Sequence, residues 1–103
     1  MDKKDIEAKL NELDIENYII SEDGIVDVKS SVDISFKNLK EIPVQFGIVK
    51  GDFNCSNNQL VDLKGIPISI RGVLYCTGNH IPLNVVIDYK KKCPFLIICD
   101  QDK

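Results

Sequence analysis

Four cysteines and one histidine are the side chains of this sequence best suited to metal binding or nucleophilic catalysis. Structural zinc sites place their ligands in close pairs, as in C-x-x-C or H-x-x-x-H. Cys93, Cys99 and His80 follow neither spacing, and no fixed partner can be named for the histidine. We therefore expect no metal, no cofactor and an exposed loop position for His80.

The other two cysteines, Cys55 and Cys76, occupy the same place in two similar segments, FNCSNN and LYCTGN. Cysteines outside reactive sites usually behave as small buried apolar residues. A disulfide between them is disfavoured, because paired parallel strands lie about 4.8 Å apart and bridged Cβ atoms lie about 3.5–4.5 Å apart. We expect both thiols in the core.

Other arrangements of catalytic residues are absent from the sequence, which has no glycine-rich phosphate loop, Ser-His-Asp set or string of carboxylates. Catalysis needs polar groups that converge in a pocket, so we expect a protein that is not an enzyme. The run Lys90-Lys91-Lys92 is shorter than a polybasic patch of about five to eight residues. We interpret it as a solvated turn, with docking of an acidic partner as the alternative.

The composition is that of one soluble globular domain, with 103 residues, 44% hydrophobic and 28% charged. A formal net charge of -3 argues against broad attraction to nucleic acid. The N-terminal segment MDKKDIEAKLNELD lacks the apolar stretch of a secretory signal, and no apolar run is long enough to span a membrane. These features predict a cytoplasmic protein with reduced cysteines.

An internal repeat with a period of 21 residues is the strongest pattern in the chain. Each unit predicts a short strand with two inward apolar residues, followed by a turn where an inward asparagine amide bonds peptide groups that lack partners. Stacked units then form parallel columns of equivalent side chains. The aligned units are Val32-x-Ile34-x-x-Lys37-x-Leu39-x-x-Ile42, Phe53-x-Cys55-x-x-Asn58-x-Leu60-x-x-Leu63 and Leu74-x-Cys76-x-x-Asn79-x-Ile81.

This pattern resembles the leucine-rich repeat, and more closely the short Cys-containing variant common in bacteriophage and prophage proteins. In that group, repeats similar to GDFNCSNNQLVDLKGIP run in tandem. The resemblance extends from about residue 15 to residue 84 and is most specific from Gly51 to Pro67. Lys37 replaces the asparagine of the first unit, and the pattern ends where Pro82 follows Ile81.

Both ends of the repeat array carry segments suited to capping it. Ile6, Leu10 and Leu13 recur at helical spacing after Asp2 or Asp5 as a possible cap. The runs NYII and GIVDV flank the turn Ser21-Glu22-Asp23-Gly24, which is typical of a β-hairpin. At the other end, Phe95–Cys99 predicts a final strand that closes the array or pairs with another chain.

Together these features predict an α+β fold built as a leucine-rich-repeat-like solenoid of about three coils with a parallel sheet. We divide the single domain of residues 1–103 into a helix and hairpin cap at 1–30, repeat coils at 31–84 and a C-terminal cap at 85–103. The caps are expected because an uncapped array leaves apolar columns and strand edges exposed to water.

The outward residues of stacked strands form a strip suited to binding a protein. Here they are Asp33, Asn54 and Tyr75, with Phe36 placed just past the first strand. Tyr75 is the main candidate, because an exposed aromatic side chain on a rigid strand is a typical interface anchor. Packing of both aromatic residues against the termini is the alternative.

The function that agrees best with these observations is non-enzymatic protein binding. The resemblance to phage proteins implies an anti-CRISPR-like inhibitor that occludes a bacterial host defence or regulatory protein in the host cytoplasm. One alternative is an accessory protein that binds nucleotides or nucleic acid through Lys90–Lys92, Arg71 and His80. Another is a structural oligomer, such as a homodimer formed through Phe95–Cys99.

Overall fold

A computed structural model describes residues 2–92 and 96–98 of the chain. The fold is α+β, with an N-terminal helix, as the sequence predicts, and with mixed and parallel sheets. The elements are α1 (Lys3–Glu12), β1 (Tyr18–Ile20), β2 (Ile25–Val28), β3 (Val32–Asp33), β4 (Gln45–Val49), β5 (Phe53–Asn54), β6 (Ser69–Ile70), β7 (Val73–Tyr75), α2 (Leu83–Lys92) and β8 (Leu96–Ile98).

The strands form two four-stranded sheets rather than the single parallel sheet expected from the sequence. The first sheet has the order β1-β2-β4-β6 and the second has the order β3-β5-β7-β8. Only β1 and β2 are antiparallel, and the other paired strands are parallel. The first two 21-residue units therefore each supply one short strand to each sheet, β3 and β4 from the first and β5 and β6 from the second, whereas the repeat pattern predicts only the strand of the second sheet.

The 21-residue period is present in the structure as strand register. In the second sheet Val32 pairs with Phe53, and Phe53 pairs with Leu74. In the first sheet Val49 pairs with Ile70 at the same offset. Equivalent apolar side chains of successive units therefore lie in adjacent positions, as the repeat predicts.

The core lies between the two sheets. Phe46 of β4 and Phe53 of β5 are both fully buried, and their rings meet edge to face with centroids 5.0 Å apart. Such an edge-to-face contact aligns the positive edge of one ring with the negative face of the other. This contact joins the two sheets at the centre of the domain.

The N-terminal helix and hairpin have the predicted structure. Asp2 caps α1, since its side chain accepts a hydrogen bond from the Asp5 N–H, and Ile6 and Leu10 are buried along one face. The hairpin turn is closed by a hydrogen bond from the Ser21 N–H to the Ile25 carbonyl, with Gly24 in the left-handed region. Both the helix and the hairpin predicted for residues 1–30 are confirmed.

The helix α2 corrects the prediction of a solvated turn at Lys90–Lys92. These lysines form the last turn of α2, where positive charge is favourable near the carbonyl end of the helix. Val86 is fully buried and the Tyr89 hydroxyl donates to the Pro67 carbonyl at 3.3 Å, which attaches α2 to the preceding unit. In chain order α2 lies between β7 and β8, where earlier units have a strand of the first sheet.

The predicted final strand is confirmed for Leu96–Ile98, which pairs with β7 in parallel. Ile97 lies opposite Leu74 and is buried. Phe95 and Cys99, the ends of the predicted strand, lie outside the described residues. Within the part of the chain that the structure describes, neither helix has the length and apolarity needed to cross a membrane.

Candidate functional site

The second sheet presents a row of outward side chains drawn from all four strands. Asp33 pairs with Asn54, Asn54 with Tyr75, and Tyr75 with Ile98. Three of these residues are candidates from the sequence, and the structure places them side by side, about 4.8 Å from strand to strand. Ile98, which is 41% exposed, extends the row at the C-terminal end.

The polar end of this row is held by local hydrogen bonds. The Asp33 carboxylate accepts from the backbone N–H of Ser35 at 3.0 Å and from its hydroxyl at 2.6 Å. The Asn54 side chain accepts from the Ser56 N–H at 3.0 Å in the same arrangement. The two hydrogen bonds from Ser35, first that of its hydroxyl, lower the pKa of Asp33 below its ordinary value, so this end of the row is anionic at neutral pH.

Phe36 follows β3 and is the most unusual residue of the site. Its side chain is 78% exposed, and its backbone is in the left-handed region with φ of 55°. The equivalent residues of the next units, Asn57 and Gly78, have φ of 58° and 69°. Asparagine and glycine tolerate this conformation, whereas a bulky aromatic residue rarely adopts it. The exposure of Phe36 argues against packing on the termini at that position, whereas Tyr75, the main candidate from the sequence, is half-buried.

Two buried asparagines hold the turns behind this surface. The Asn58 side chain accepts from the N–H groups of Lys37 and Leu39, both at 3.0 Å, and donates to the carbonyls of Ile34 and Cys55. Lys37 and Leu39 directly follow the turn that carries Phe36, so the asparagine of the second unit holds the turn of the first. The predicted role of this inward amide is confirmed.

Asn79 repeats this arrangement one unit later. Its side chain accepts from the Leu60 N–H at 3.0 Å and donates to the carbonyls of Cys55 and Cys76 at 3.0 Å and 3.2 Å. Both asparagines are buried. Each amide therefore links backbone groups of its own unit to those of the preceding one.

The cysteines of the repeat are placed as expected. Cys55 and Cys76 are fully buried, and their thiols donate to the carbonyls of Tyr75 and Ile98 on the next strand. Cys93 and Cys99 lie outside the described residues. Among residues 2–92 and 96–98, no group of three His, Cys, Asp or Glu side chains is arranged to hold a metal ion.

The residues of the nucleic-acid hypothesis lie on different elements. His80 is exposed in the part of the third unit that follows β7, as expected, and its backbone N–H donates to the Leu60 carbonyl. Arg71 follows β6, and Lys90–Lys92 end α2. The residues of this hypothesis therefore come from three separate parts of the fold.

An open cleft of about 310 Å³ lies beside the hairpin turn between β1 and β2. Its lining combines the turn residue Asp23, the helix residue Ile6 and loop residues that include Glu41 and Lys64. No local pattern of the sequence predicts this cleft, because it forms where four segments distant in the chain meet. Its lining contains no serine, cysteine or histidine.

Comparison of the chain with protein families, curated proteins and solved structures finds no match.

Proposed function

We propose that this protein is a non-enzymatic protein-binding module that uses the outward side of the second sheet. The binding surface, here called the Phe36 face, consists of Asp33, Phe36, Asn54, Tyr75 and Ile98. The proposal rests on Phe36. Its side chain is 78% exposed, and its backbone has a left-handed conformation that bulky aromatic residues rarely adopt. Neither packing nor local conformation explains an aromatic residue there, whereas partner binding does.

The proposed architecture behind this face is a short leucine-rich-repeat-like solenoid. The 21-residue register in both sheets and the repeated asparagine amides support it. An array of this kind holds its outward residues rigidly, which reduces the entropy lost when a partner binds. The resemblance to phage repeats supports a specific version, in which the partner is a bacterial defence or regulatory protein inhibited by occlusion in the host cytoplasm.

Binding to bacterial proteins tests the proposal. The tagged protein is used to capture partners from a bacterial lysate, together with a Phe36→Asn/Tyr75→Ala variant that removes both aromatic side chains. Asparagine at position 36 copies the residue that the second unit has in the same backbone conformation, so we expect this variant to fold. A Val61→Ala/Ile68→Ala variant removes two exposed side chains outside the face and serves as the control.

We expect partners enriched by the wild-type protein and by the control to be lost with the Phe36→Asn/Tyr75→Ala variant. Interface anchors of this type typically contribute about 2 kcal/mol or more each, so the loss should exceed tenfold. Equal capture by all three proteins would contradict the choice of surface. Absence of any specific capture by the wild-type protein would contradict protein binding itself.

A further inference from the structure

The 21-residue period also repeats a positive charge. Lys29, Lys50 and Arg71 follow one another at intervals of 21 residues, each immediately after a paired residue of the first sheet. The Lys50 N–H donates to the Val28 carbonyl and the Arg71 N–H to the Val49 carbonyl, both at 3.0 Å. The three cationic residues, here called the basic ladder, therefore stand in one column across the strands.

All three side chains of the basic ladder are exposed. Adjacent members are separated by one strand spacing, about 4.8 Å, so three like charges are concentrated along about 10 Å. The ion pairs of the described residues, Lys37 with Asp14 and Lys92 with Asp88, do not include them. The charge of the ladder is therefore not neutralised by an ion pair within the described part of the chain.

The acidic residues nearest to the ladder in the register are Asp27 and Asp52, and both bond to backbone. Asp27 accepts from the Ile48 N–H at 2.8 Å, and Asp52 accepts from the Val73 N–H at 2.8 Å. These hydrogen bonds hold each carboxylate against the strand of the next unit. The lysine and arginine head groups extend to solvent and remain available to an anion.

An apolar depression of about 200 Å³ borders the ladder on the outward side of the first sheet. Lys29 and Lys50 line it together with Ile19, Ile48 and Asp27. Ile19 is 54% exposed and Ile48 is 45% exposed. Ile19 pairs with Asp27 on β2, and Ile48 lies on the next strand β4, so the two isoleucines are two strand spacings apart.

We propose that the basic ladder and this depression together bind an acidic amphipathic helix of a partner protein. A helix that crosses the strands presents one side chain per turn of about 5.4 Å on a given face. This pitch is close to the strand spacing, so carboxylates at positions i, i+4 and i+7 would meet the three cations in turn. Apolar residues on the adjoining helix face, also two turns apart, would cover Ile19 and Ile48.

An acidic helix fits this surface better than a nucleic acid does. The chain as a whole carries a net charge of -3, so it repels an extended polyanion. A phosphate backbone would contact the cations but would leave the two isoleucines exposed. A peptide helix can satisfy both requirements, since one face can be acidic and the neighbouring face apolar.

Two synthetic peptides of identical composition test the proposal against the full-length protein. In one, three glutamates at i, i+4 and i+7 adjoin a stripe of leucines. In the other, the glutamates are distributed around the helix. Binding is measured by fluorescence anisotropy at low and high salt, with a single-stranded oligonucleotide of equal charge as a third probe.

We expect the one-sided peptide to bind at least tenfold more tightly than its permuted counterpart, with affinity that falls as salt rises. A Lys29→Gln/Lys50→Gln/Arg71→Gln variant should weaken this binding about tenfold, since each exposed pair contributes modestly. A Lys4→Gln/Lys40→Gln/Lys64→Gln variant has the same net charge but an intact ladder, and it should bind as the wild-type protein does. An Ile48→Ser variant tests the apolar contribution.

Equal affinity for the two peptides, equal losses in the two triple variants, or no saturable binding would overturn the proposal. Tighter binding of the oligonucleotide than of the one-sided peptide would assign the ladder to nucleic acid and would overturn it as well. The Phe36→Asn/Tyr75→Ala variant should leave peptide binding unchanged, because the ladder lies on the other sheet. The proposal for the basic ladder and the proposal for the Phe36 face can therefore be tested independently.

Discussion

Asn58 shows how a single side chain can take the place of secondary structure in a fold of very short strands. β3 and β5 have two residues each, and the turn that follows leaves backbone groups without ladder partners. The Asn58 amide bonds to two N–H groups and to the carbonyls of Ile34 and Cys55 in a buried position. When the oxygen of a buried amide accepts hydrogen bonds and its NH2 group donates them, few other side chains can replace it.

Replacing Asn58 should therefore destabilise the protein strongly. We expect Asn58→Ala to lower the free energy of unfolding by about 3 kcal/mol or more, because several buried backbone groups lose their partner. Asn58→Asp retains the acceptor but loses the donor, and it should be at least as damaging. Urea unfolding followed by circular dichroism measures both changes.

The matched control is Asn11→Ala, which removes an exposed asparagine side chain from α1. It should change the free energy of unfolding by less than about 0.5 kcal/mol, since surface substitutions usually have small effects. A small effect of Asn58→Ala, similar to that of the control, would mean that water satisfies the turn and that the asparagine is not required.

Asp33 on the Phe36 face is held by Ser35, and this contact gives a pH prediction. Removing the hydroxyl in Ser35→Ala should raise the pKa of Asp33 toward its ordinary value, because the stronger of the two hydrogen bonds from Ser35 is lost. NMR titration of the carboxyl carbon measures this change. Ser30→Ala, which leaves the contact intact, is the control, and an unaltered titration in Ser35→Ala would contradict the assignment.

The sign of the accompanying stability change follows from the lowered pKa of Asp33. A carboxyl group whose pKa is lower in the folded state stabilises the protein above its unfolded pKa. That contribution is lost as the pH falls through the folded value. Because Asp33 is exposed, solvent screens the contribution, and we expect Ser35→Ala to reduce it only slightly.

At the scale of elements, α2 is the part of the fold that departs most from the repeat. Pro82 precedes it, and the Val85 and Val86 N–H groups both bond to the Pro82 carbonyl, which begins the helix. The buried Val86 and the half-buried Tyr89 lie three residues apart on its inner side. Lys90–Lys92 stabilise the C-terminal turn of α2, because positive charge is favourable near the carbonyl end of a helix.

A proline substitution distinguishes this helix from a strand or a loop. Ile87 is 44% exposed in the middle of α2, so Ile87→Ala should be tolerated. Ile87→Pro should lower the free energy of unfolding by about 3 kcal/mol, because it removes a helical hydrogen bond and clashes with the preceding turn. Urea unfolding compares the two variants, and equal stability would show that residue 87 is not helical in solution.

At the scale of the whole molecule, β8 decides how the second sheet ends. It pairs with β7 within the same chain, with Ile97 buried and Ile98 outward. This pairing agrees with a strand that closes one edge of the second sheet. The homodimer through Phe95–Cys99 stays a prediction, and its two terminal residues lie outside the described part of the chain.

Charge substitutions in β8 separate closure from dimer formation. Ile97→Lys should unfold or strongly destabilise the protein, because it places an unpaired charge in the core. Ile98→Lys should leave the folded state intact. Light scattering after size exclusion measures the oligomeric state: a wild-type dimer that becomes a monomer in Ile98→Lys would support an interface, and a stable Ile97→Lys monomer would contradict the buried position.

Much of this architecture can be predicted from the sequence, because a period of 21 residues constrains neighbouring units to share one register. Inward apolar residues such as Phe53 and Leu74, the asparagine amides, the N-terminal helix and the hairpin all follow from local patterns. Each depends on spacing or turn chemistry within a few residues. The same period contains the basic ladder, but charged residues at exposed positions do not contribute to an apolar pattern, so the apolar repeat does not predict it.

The strands β4 and β6, the helix α2 and the outward row of the second sheet depend on tertiary structure. The strands β4 and β6 were not recognised, because β4 combines the exposed Gln45 and Ile48 with the buried Gly47 and interrupts simple alternation. The helical state of α2 depends on the burial of Val86 and the bond from Tyr89 to Pro67, which an apolar run alone does not specify. The row from Asp33 to Ile98 exists only because four strands distant in the chain pair side by side, and pairing between distant segments is a property of the packed core.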